Sequence, residues 1–150
     1  MKISLGCDEA AYQLKETIKQ HLKEAGHEVI DNGVGEGEVE LYPDVAVRTC
    51  KKVTDGTCDR GILVCGTGIG MAMTANKVPG IRAAVCHDPF STERSILSND
   101  ANVMCMGARV IAPQLAIYLL DIWMGLTFKD GPSTPKVERI MEYQEAFCGK

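Results

Sequence analysis

The sequence predicts an α/β protein: a single-domain Rossmann-like (flavodoxin-like) three-layer sandwich on a five-stranded parallel sheet. Three observations carry this expectation. Runs of strand character alternate with stretches of helical period along the whole chain, which implies a parallel sheet with helices on both faces. The run Gly61-Ile62-Leu63-Val64-Cys65 is almost wholly apolar, as a strand buried on both faces must be. The 150 residues show no internal repeat, low-complexity tract or linker, so one domain over 1–150 with one core is expected.

The first strand is Ile3-Ser4-Leu5-Gly6-Cys7. From Asp8 the period turns helical, with Ala11, Leu14, Ile18, Leu22 and Ala25 on one face, and Gly26 stops it. His27-Glu28-Val29-Ile30-Asp31 reads as the second strand, followed by a Gly-rich acidic loop from Gly33 to Glu40. Pro43 and Asp44 open a helix through Val47, Cys50 and Val53 that Gly56 ends. The apolar third strand runs into a glycine loop and a helix to about Lys77. Pro79-Gly80 turns into the fourth strand, Ile81 to Cys86. Asp88-Pro89 is a helix start, with Asp as N-cap and Pro in the first turn. Val103-Met104-Cys105-Met106 is the fifth strand, and helices are expected near Pro113 to Gly125 and Pro135 to Phe147.

Composition narrows the function. A formal net charge of -4 gives no general attraction to nucleic acid or to an anionic membrane, so an anionic ligand must be held by a few placed cations and backbone amides. No apolar run is long enough to span a bilayer, and the N-terminus turns polar too soon for a signal peptide. The 7 cysteines are odd in number and form no C-x-x-C pair, which points to neither a disulfide framework nor a zinc ribbon. Most read as small core residues of a reduced, cytoplasmic protein, with Cys65 and, less clearly, Cys7 set apart.

Ligands of open parallel sheets gather at the carboxyl ends of the strands, near the switch in strand order. Those ends are Cys7-Asp8, Cys65-Gly66, Cys86-His87-Asp88 and Gly107-Ala108-Arg109. The loop Gly66-Thr67-Gly68-Ile69-Gly70 admits several readings. Met71-Ala72 stands where a P-loop needs Gly-Lys-Ser/Thr, which rejects that motif. A dinucleotide loop would be G-x-G-x-x-G after the first strand; this one is G-x-G-x-G after the third, although Asp88 is spaced like a ribose-binding acid. A plain tight turn is the third reading. The fourth is chemical: a thiol ahead of a helix has its thiolate stabilised, and amides beside it can hold an oxyanion. A base and an oxyanion hole side by side are what proton abstraction next to a carbonyl requires.

The chain resembles the ribose-5-phosphate isomerase B family, which includes galactose-6-phosphate isomerase. The resemblance rests on Gly6-Cys7-Asp8, Tyr42-Pro43, Cys65 to Gly70, Ala75 to Ala83, Ser98 to Asn102 and Gly107-Ala108-Arg109-Val110. It implies an aldose–ketose isomerase of phosphorylated sugars, with no metal or other cofactor. It also implies a homodimer or dimer of dimers with active sites between subunits, onto which the C-terminal helix (about 135–147) would pack. Cys65 would be the base that moves a proton between C1 and C2. Thr67 and the loop Gly66, Gly68, Ile69 and Gly70 would steady the enediolate. Asp8 would bind sugar hydroxyls with Tyr42 nearby, Asn99 would orient the reacting oxygens and Arg109 would bind phosphate. Each has a plainer reading: a helix N-cap for Asp8, packing before Pro43 for Tyr42, a turn residue for Asn99 and a surface ion pair for Arg109.

Three departures from the family bear on the substrate. Asp8-Glu9 replaces the common Asp-His, and a carboxylate there would repel phosphate. Ser98-Asn99-Asp100 replaces His-Asn-Asp, whose His is assigned to opening a furanose ring. His87 is the candidate replacement, or else a partly buried residue before an N-cap. The family's tail segment Gly-Gly-Arg-x-x-x-Arg sends cations to the neighbouring subunit's phosphate. Here it is Asp130-Gly131-Pro132-Ser133-Thr134-Pro135-Lys136, which keeps only Lys136. Arg94 is the candidate second cation, with a helix-surface ion pair as its alternative. A tetrose 4-phosphate has no furanose ring to open, so erythrose 4-phosphate/erythrulose 4-phosphate stands beside ribose 5-phosphate/ribulose 5-phosphate as the expected pair. The other readings kept are an NAD(P)-binding oxidoreductase and a non-catalytic sugar-phosphate-binding subunit of a hetero-oligomeric isomerase.

Overall fold

In the computed structural model, which describes residues 1–148, strand β1 (Lys2–Cys7) pairs in parallel with β2 (Glu28–Asp31) on one side and β3 (Arg60–Cys65) on the other. Strand β5 (Val103–Gly107) lies beside β3, and β4 (Ala83–Val85) forms the far edge. The α/β class and the five parallel strands are as the sequence predicts. The order is β2-β1-β3-β5-β4, in which the last two strands are exchanged relative to their order in the chain. Burial explains the exchange. All of β5 (VMCMG) is buried and needs neighbours on both edges, whereas the short β4 (AAV) is half-buried throughout and tolerates the rim.

The helices divide between the two faces of the sheet. Helix α1 (Tyr12–Glu24) packs on α5 (Pro113–Gly125), which also meets α4 (Pro89–Leu97). On the opposite face α2 (Tyr42–Thr54) packs on α3 (Ile69–Ala75). Between them Ile3, Leu5, Ile62, Leu63, Met104, Met106 and Trp123 are fully buried. Helix α6 (Thr134–Cys148) is lightly attached. Gln144 Oε1 accepts the Gly80 N–H at 2.8 Å and Val137 is buried, but Ile140, Tyr143 and Phe147 remain exposed beside a groove of about 550 Å³. No helix among the described residues is long and apolar enough to cross a membrane.

One local feature departs from the sequence reading. Strand β4 begins at Ala83 rather than Ile81, because the Ile81 N–H closes a turn on the Val78 carbonyl at 3.1 Å and the Arg82 N–H is taken by Asn102 Oδ1 at 2.8 Å. On the free edge of β4 the Asn76 amide stands in for a strand partner. Its Oδ1 accepts the Ala83 N–H at 2.8 Å and its Nδ2 donates to the Ala83 carbonyl at 2.9 Å. Lys15, in the second turn of α1, is buried despite its charge. Its ammonium donates to the Val34 carbonyl at 3.0 Å and pairs with Glu16 and Asp31, which pins the start of the loop after β2.

Gly6 marks where α2 approaches the sheet most closely. A Cβ there would overlap the buried Thr49 Oγ1 and lie 3.0 Å from Val45 Cγ1. Gly6→Ala is expected to destabilise the fold by about 1–3 kcal/mol, the usual cost of overpacking. Urea denaturation checks this: the midpoint should fall with an unchanged slope.

Candidate active site

The exchanged strand order determines which loops meet. Val64 is the register partner of Cys7, and Cys65 is the partner of Gly107. The carboxyl ends of β1, β3 and β5 therefore lie side by side, at the switch point between β1 and β3 where ligands of such sheets bind. Asp8, Tyr42, Cys65, Gly66, Thr67, Ile69, Gly70, Met73 and Arg109 line one concavity of about 460 Å³.

Cys65 is nearly buried, and the Gly68 N–H donates to its Sγ at 3.1 Å. That bond depends on Gly68 being left-handed at φ 77°, a conformation glycine adopts without strain. A Cβ on Gly68 would also lie 3.0 Å from the Met106 backbone. Thr67 is exposed at the mouth, and its Oγ1 accepts the Ile69 N–H at 3.3 Å. The loop is braced from β5: the Ala108 N–H donates to the Cys65 carbonyl at 2.8 Å and the Arg109 N–H to the Gly66 carbonyl at 3.0 Å. The Arg109 side chain lies along Gly66, within 3.6 Å of where a Cβ would stand. It has no carboxylate partner among the described residues, so the surface ion pair is not formed.

Asp8 does not act as a helix cap. The amides of Ala10 and Ala11 are near enough to favour its charge, but neither closes a cap hydrogen bond, and Oδ1 is buried with no partner. Burial, and then the neighbouring Glu9 carboxylate, raise the Asp8 carboxyl above its ordinary value, against the pull of those amides and Arg109. A buried acceptor left open toward a concavity is ready for a hydroxyl donor. Tyr42 opens α2 and lays its ring on Gly70, where a Cβ would stand 2.7 Å from Cζ. Met73, one helical turn beyond Ile69, also lines the rim; only its i+4 spacing from the loop signals this in sequence.

The other predicted residues lie elsewhere in the chain. His87 is half-buried behind β5, and its Nε2 accepts the Gly107 N–H at 2.8 Å. Asn99 is on the groove beneath α6, with its Nδ2 donating to the Arg94 carbonyl at 3.0 Å. Arg94 pairs with Glu93 at 2.7 Å and reaches the Ser98 hydroxyl at 3.5 Å. Lys136 is exposed in the first turn of α6. The α6 groove is roomier than the Cys65 concavity, but it lacks the thiol, Asp8 and Arg109. Cys7 is core: burial pushes its thiol to about 11, against Lys15. Asp88, spaced like a ribose-binding acid, is taken up as the N-cap of α4, its Oδ1 accepting the Ser91 N–H at 2.8 Å.

Comparison with known proteins places the chain in a family. Residues 3–140 match the family described as Ribose/Galactose Isomerase. The chain is 51% identical over 145 residues to a ribose-5-P isomerase B of Listeria innocua, covering 97% of this chain and 98% of the relative. It is 48% identical over 145 residues to a D-erythrulose-4-phosphate isomerase of Pectobacterium atrosepticum, covering 96% and 95%. The solved ribose-5-phosphate isomerase B of Clostridium thermocellum superposes with a TM-score of 0.95 at 42% identity, over 98% of this chain and 99% of that one. With a family match over nearly its whole length and a superposable relative to go with it, the chain belongs to the ribose/galactose isomerase family.

Proposed function

We propose that this protein is an aldose–ketose isomerase of phosphorylated sugars that works through a cis-enediolate with Cys65 as base. The observation that carries the reading is the Gly68 N–H on the Cys65 sulfur, in a loop whose Gly66, Thr67, Ile69 and Gly70 line the same concavity. Arg109 anchors the phosphate and Asp8 accepts from sugar hydroxyls. The Cys65 thiolate takes the proton from the carbon next to the carbonyl. The electron pair moves onto the carbonyl oxygen, where the loop donors offset the charge. The thiol then returns the proton to the former carbonyl carbon, and a proton passes between the two oxygens. No electrons leave the substrate.

The site is completed by a second copy. Asn99, Arg94 and Lys136 lie outside the concavity of their own chain, and α6 exposes Ile140, Tyr143 and Phe147 beside a groove. A homodimer or dimer of dimers covers those apolar faces and brings these polar groups to the partner's site. The six described free thiols suit a reducing cytoplasm.

The substrate reading favours an open chain. Ser98 offers no titratable group at neutral pH, and the Nε2 of His87 is already occupied. Of the two pairs, erythrose 4-phosphate/erythrulose 4-phosphate needs no ring opening, while ribose 5-phosphate must first be opened. The test is a substrate panel compared by kcat/KM. Erythrulose 4-phosphate is expected to exceed ribose 5-phosphate by about 10²-fold, the lower end of what a positioned acid or base contributes. Allose 6-phosphate and galactose 6-phosphate should be slowest. A preference for a six-carbon aldose phosphate would remove the open-chain argument. NAD(P) binding measured by calorimetry would favour an oxidoreductase. Absence of turnover by the isolated chain would favour a non-catalytic subunit.

A further inference from the structure

The rim of the sheet between β4 and β5 has an unusual rung. Cys86 still donates its N–H to the Cys105 carbonyl at 2.9 Å, as a parallel ladder requires. The next ladder bond would run from the Gly107 N–H to the backbone of residue 86. The chain has already turned away toward α4, and the imidazole of His87 takes the carbonyl's place, accepting from Gly107 at 2.8 Å. A backbone amide that would otherwise be an orphan at the end of a buried strand is thus satisfied by a side chain.

Gly107 is in close contact with the reactive loop. It is the register partner of Cys65. A Cβ on it would stand 2.7 Å from both Cα and C of Thr67. The two residues after it carry the amides that hold the Cys65 and Gly66 carbonyls, and then Arg109. An imidazole that fixes the Gly107 N–H therefore fixes the strap against which Thr67 rests.

We propose that His87 is a positioning residue of the isomerase site: its neutral imidazole sets the Gly107 amide, and through Gly107 the Thr67 backbone, where the reaction needs them. This rests on the reading of the Cys65 loop given above. The bond requires the tautomer with its proton on Nδ1, so that Nε2 is free to accept. In the imidazolium both nitrogens donate, and Nε2–H would face the Gly107 N–H, donor against donor. Burial favours the neutral form and moves the ring below its ordinary 6.5, while Asp88 at the start of α4 opposes. The elements packed against β4, α3 (IGMAMTA) and β5 (VMCMG), bring no formal charge to the ring. Cys86 and Cys105 are raised by burial and stay neutral thiols. Arg109, two residues past Gly107, is the remaining nearby cation of the strap. The sign follows: the arrangement is complete above the ordinary 6.5 and is lost as pH falls through the lowered value of the folded protein.

The test uses two substitutions and one spectroscopic titration. His87→Leu removes the acceptor, and kcat is expected to fall about tenfold or more, because small misplacement of reacting groups is costly. KM should change less, since Arg109 keeps its own backbone bond. His87→Gln keeps an acceptor oxygen near the Nε2 position without titrating. It should recover most of the kcat, and its acid limb should lie at lower pH than that of the wild type. Every other group is common to both proteins, so the difference isolates His87. In the unsubstituted protein, the amide resonance of Gly107 should shift with the midpoint of the His87 ring. A His87→Leu protein with wild-type kcat overturns the proposal, as does a Gly107 amide that ignores the His87 titration. A His87→Gln protein as impaired as His87→Leu at every pH also overturns it, since the imidazole would then be acting chemically. The Gly107 titration needs no substrate, so a chain that turns over no sugar phosphate defeats the isomerase reading without deciding the coupling.

Discussion

Alanine at position 65 is expected to lower kcat by about 10³-fold, within the range that a positioned base contributes, while the protein still folds. The geometry separates the two effects. The side chain removed is small and nearly buried, so the cavity is minor, and the structural loss is one bond from the Gly68 N–H. An unsatisfied buried amide costs about 1–3 kcal/mol, which a domain of this size survives. Cys65→Ser sharpens the test. A serine hydroxyl accepts the Gly68 N–H and restores the loop, but at neutral pH it does not exist as the anion that takes a proton from carbon. Serine should therefore regain stability without regaining turnover. KM should move little in either variant, because Arg109, Asp8 and Tyr42 are untouched. Stopped-flow or coupled assays on the preferred sugar phosphate give kcat, and thermal melts give the structural cost. An alanine protein that isomerises every accepted substrate at the wild-type rate would remove Cys65 from the role of base.

Much of this site was legible in the chain because β3 is so apolar. A run that must be buried on both faces has to be central, so the loop after it lies at the middle of the carboxyl edge. Asp8 followed in the same way from the end of β1. Tertiary choices were less visible. The exchange of β4 and β5 follows from β5 being wholly buried and β4 only half-buried, a difference that the two apolar runs do not declare in sequence. Asn76 standing in for a strand, Lys15 going inside and Tyr42 lying on Gly70 each depend on a contact between residues far apart in the chain or one layer away. His87 shows the limit most clearly. Its place at a strand end drew attention to it, but only the absence of a backbone partner for Gly107 shows what its ring nitrogen does. Asn99, Arg94 and Lys136 are a different case: a single chain does not bring them to Cys65, and the reading that uses them requires a second copy.

The β3–β5 ladder allows positioning to be separated from stability, because it has a critical glycine at each end. At the far end Gly61 pairs with Val103, and a Cβ there would press on Val103 Cγ2 at 3.1 Å and Val53 Cγ2 at 3.3 Å. Those are tips of side chains, remote from the concavity. At the near end Gly107 pairs with Cys65, and a Cβ would meet Thr67 Cα and C at 2.7 Å and its carbonyl oxygen at 2.8 Å. Backbone has no rotamer with which to yield, and β5 is held between two strands, so the Cys65–Gly70 loop must move. Gly107→Ala is therefore expected to lower kcat/KM by about 10²-fold, the penalty of roughly an ångström of misplacement at a reacting centre. Gly61→Ala should cost about 1–3 kcal/mol of stability with kcat/KM close to wild type. Melting temperatures and kcat/KM measured on both variants make the comparison. Equal loss of activity from the two glycines would mean that the ladder acts only through overall stability. Loss confined to Gly107 would mean that the strap from β5 holds the reactive loop in its working place, independently of how tightly the rest of the sheet is packed.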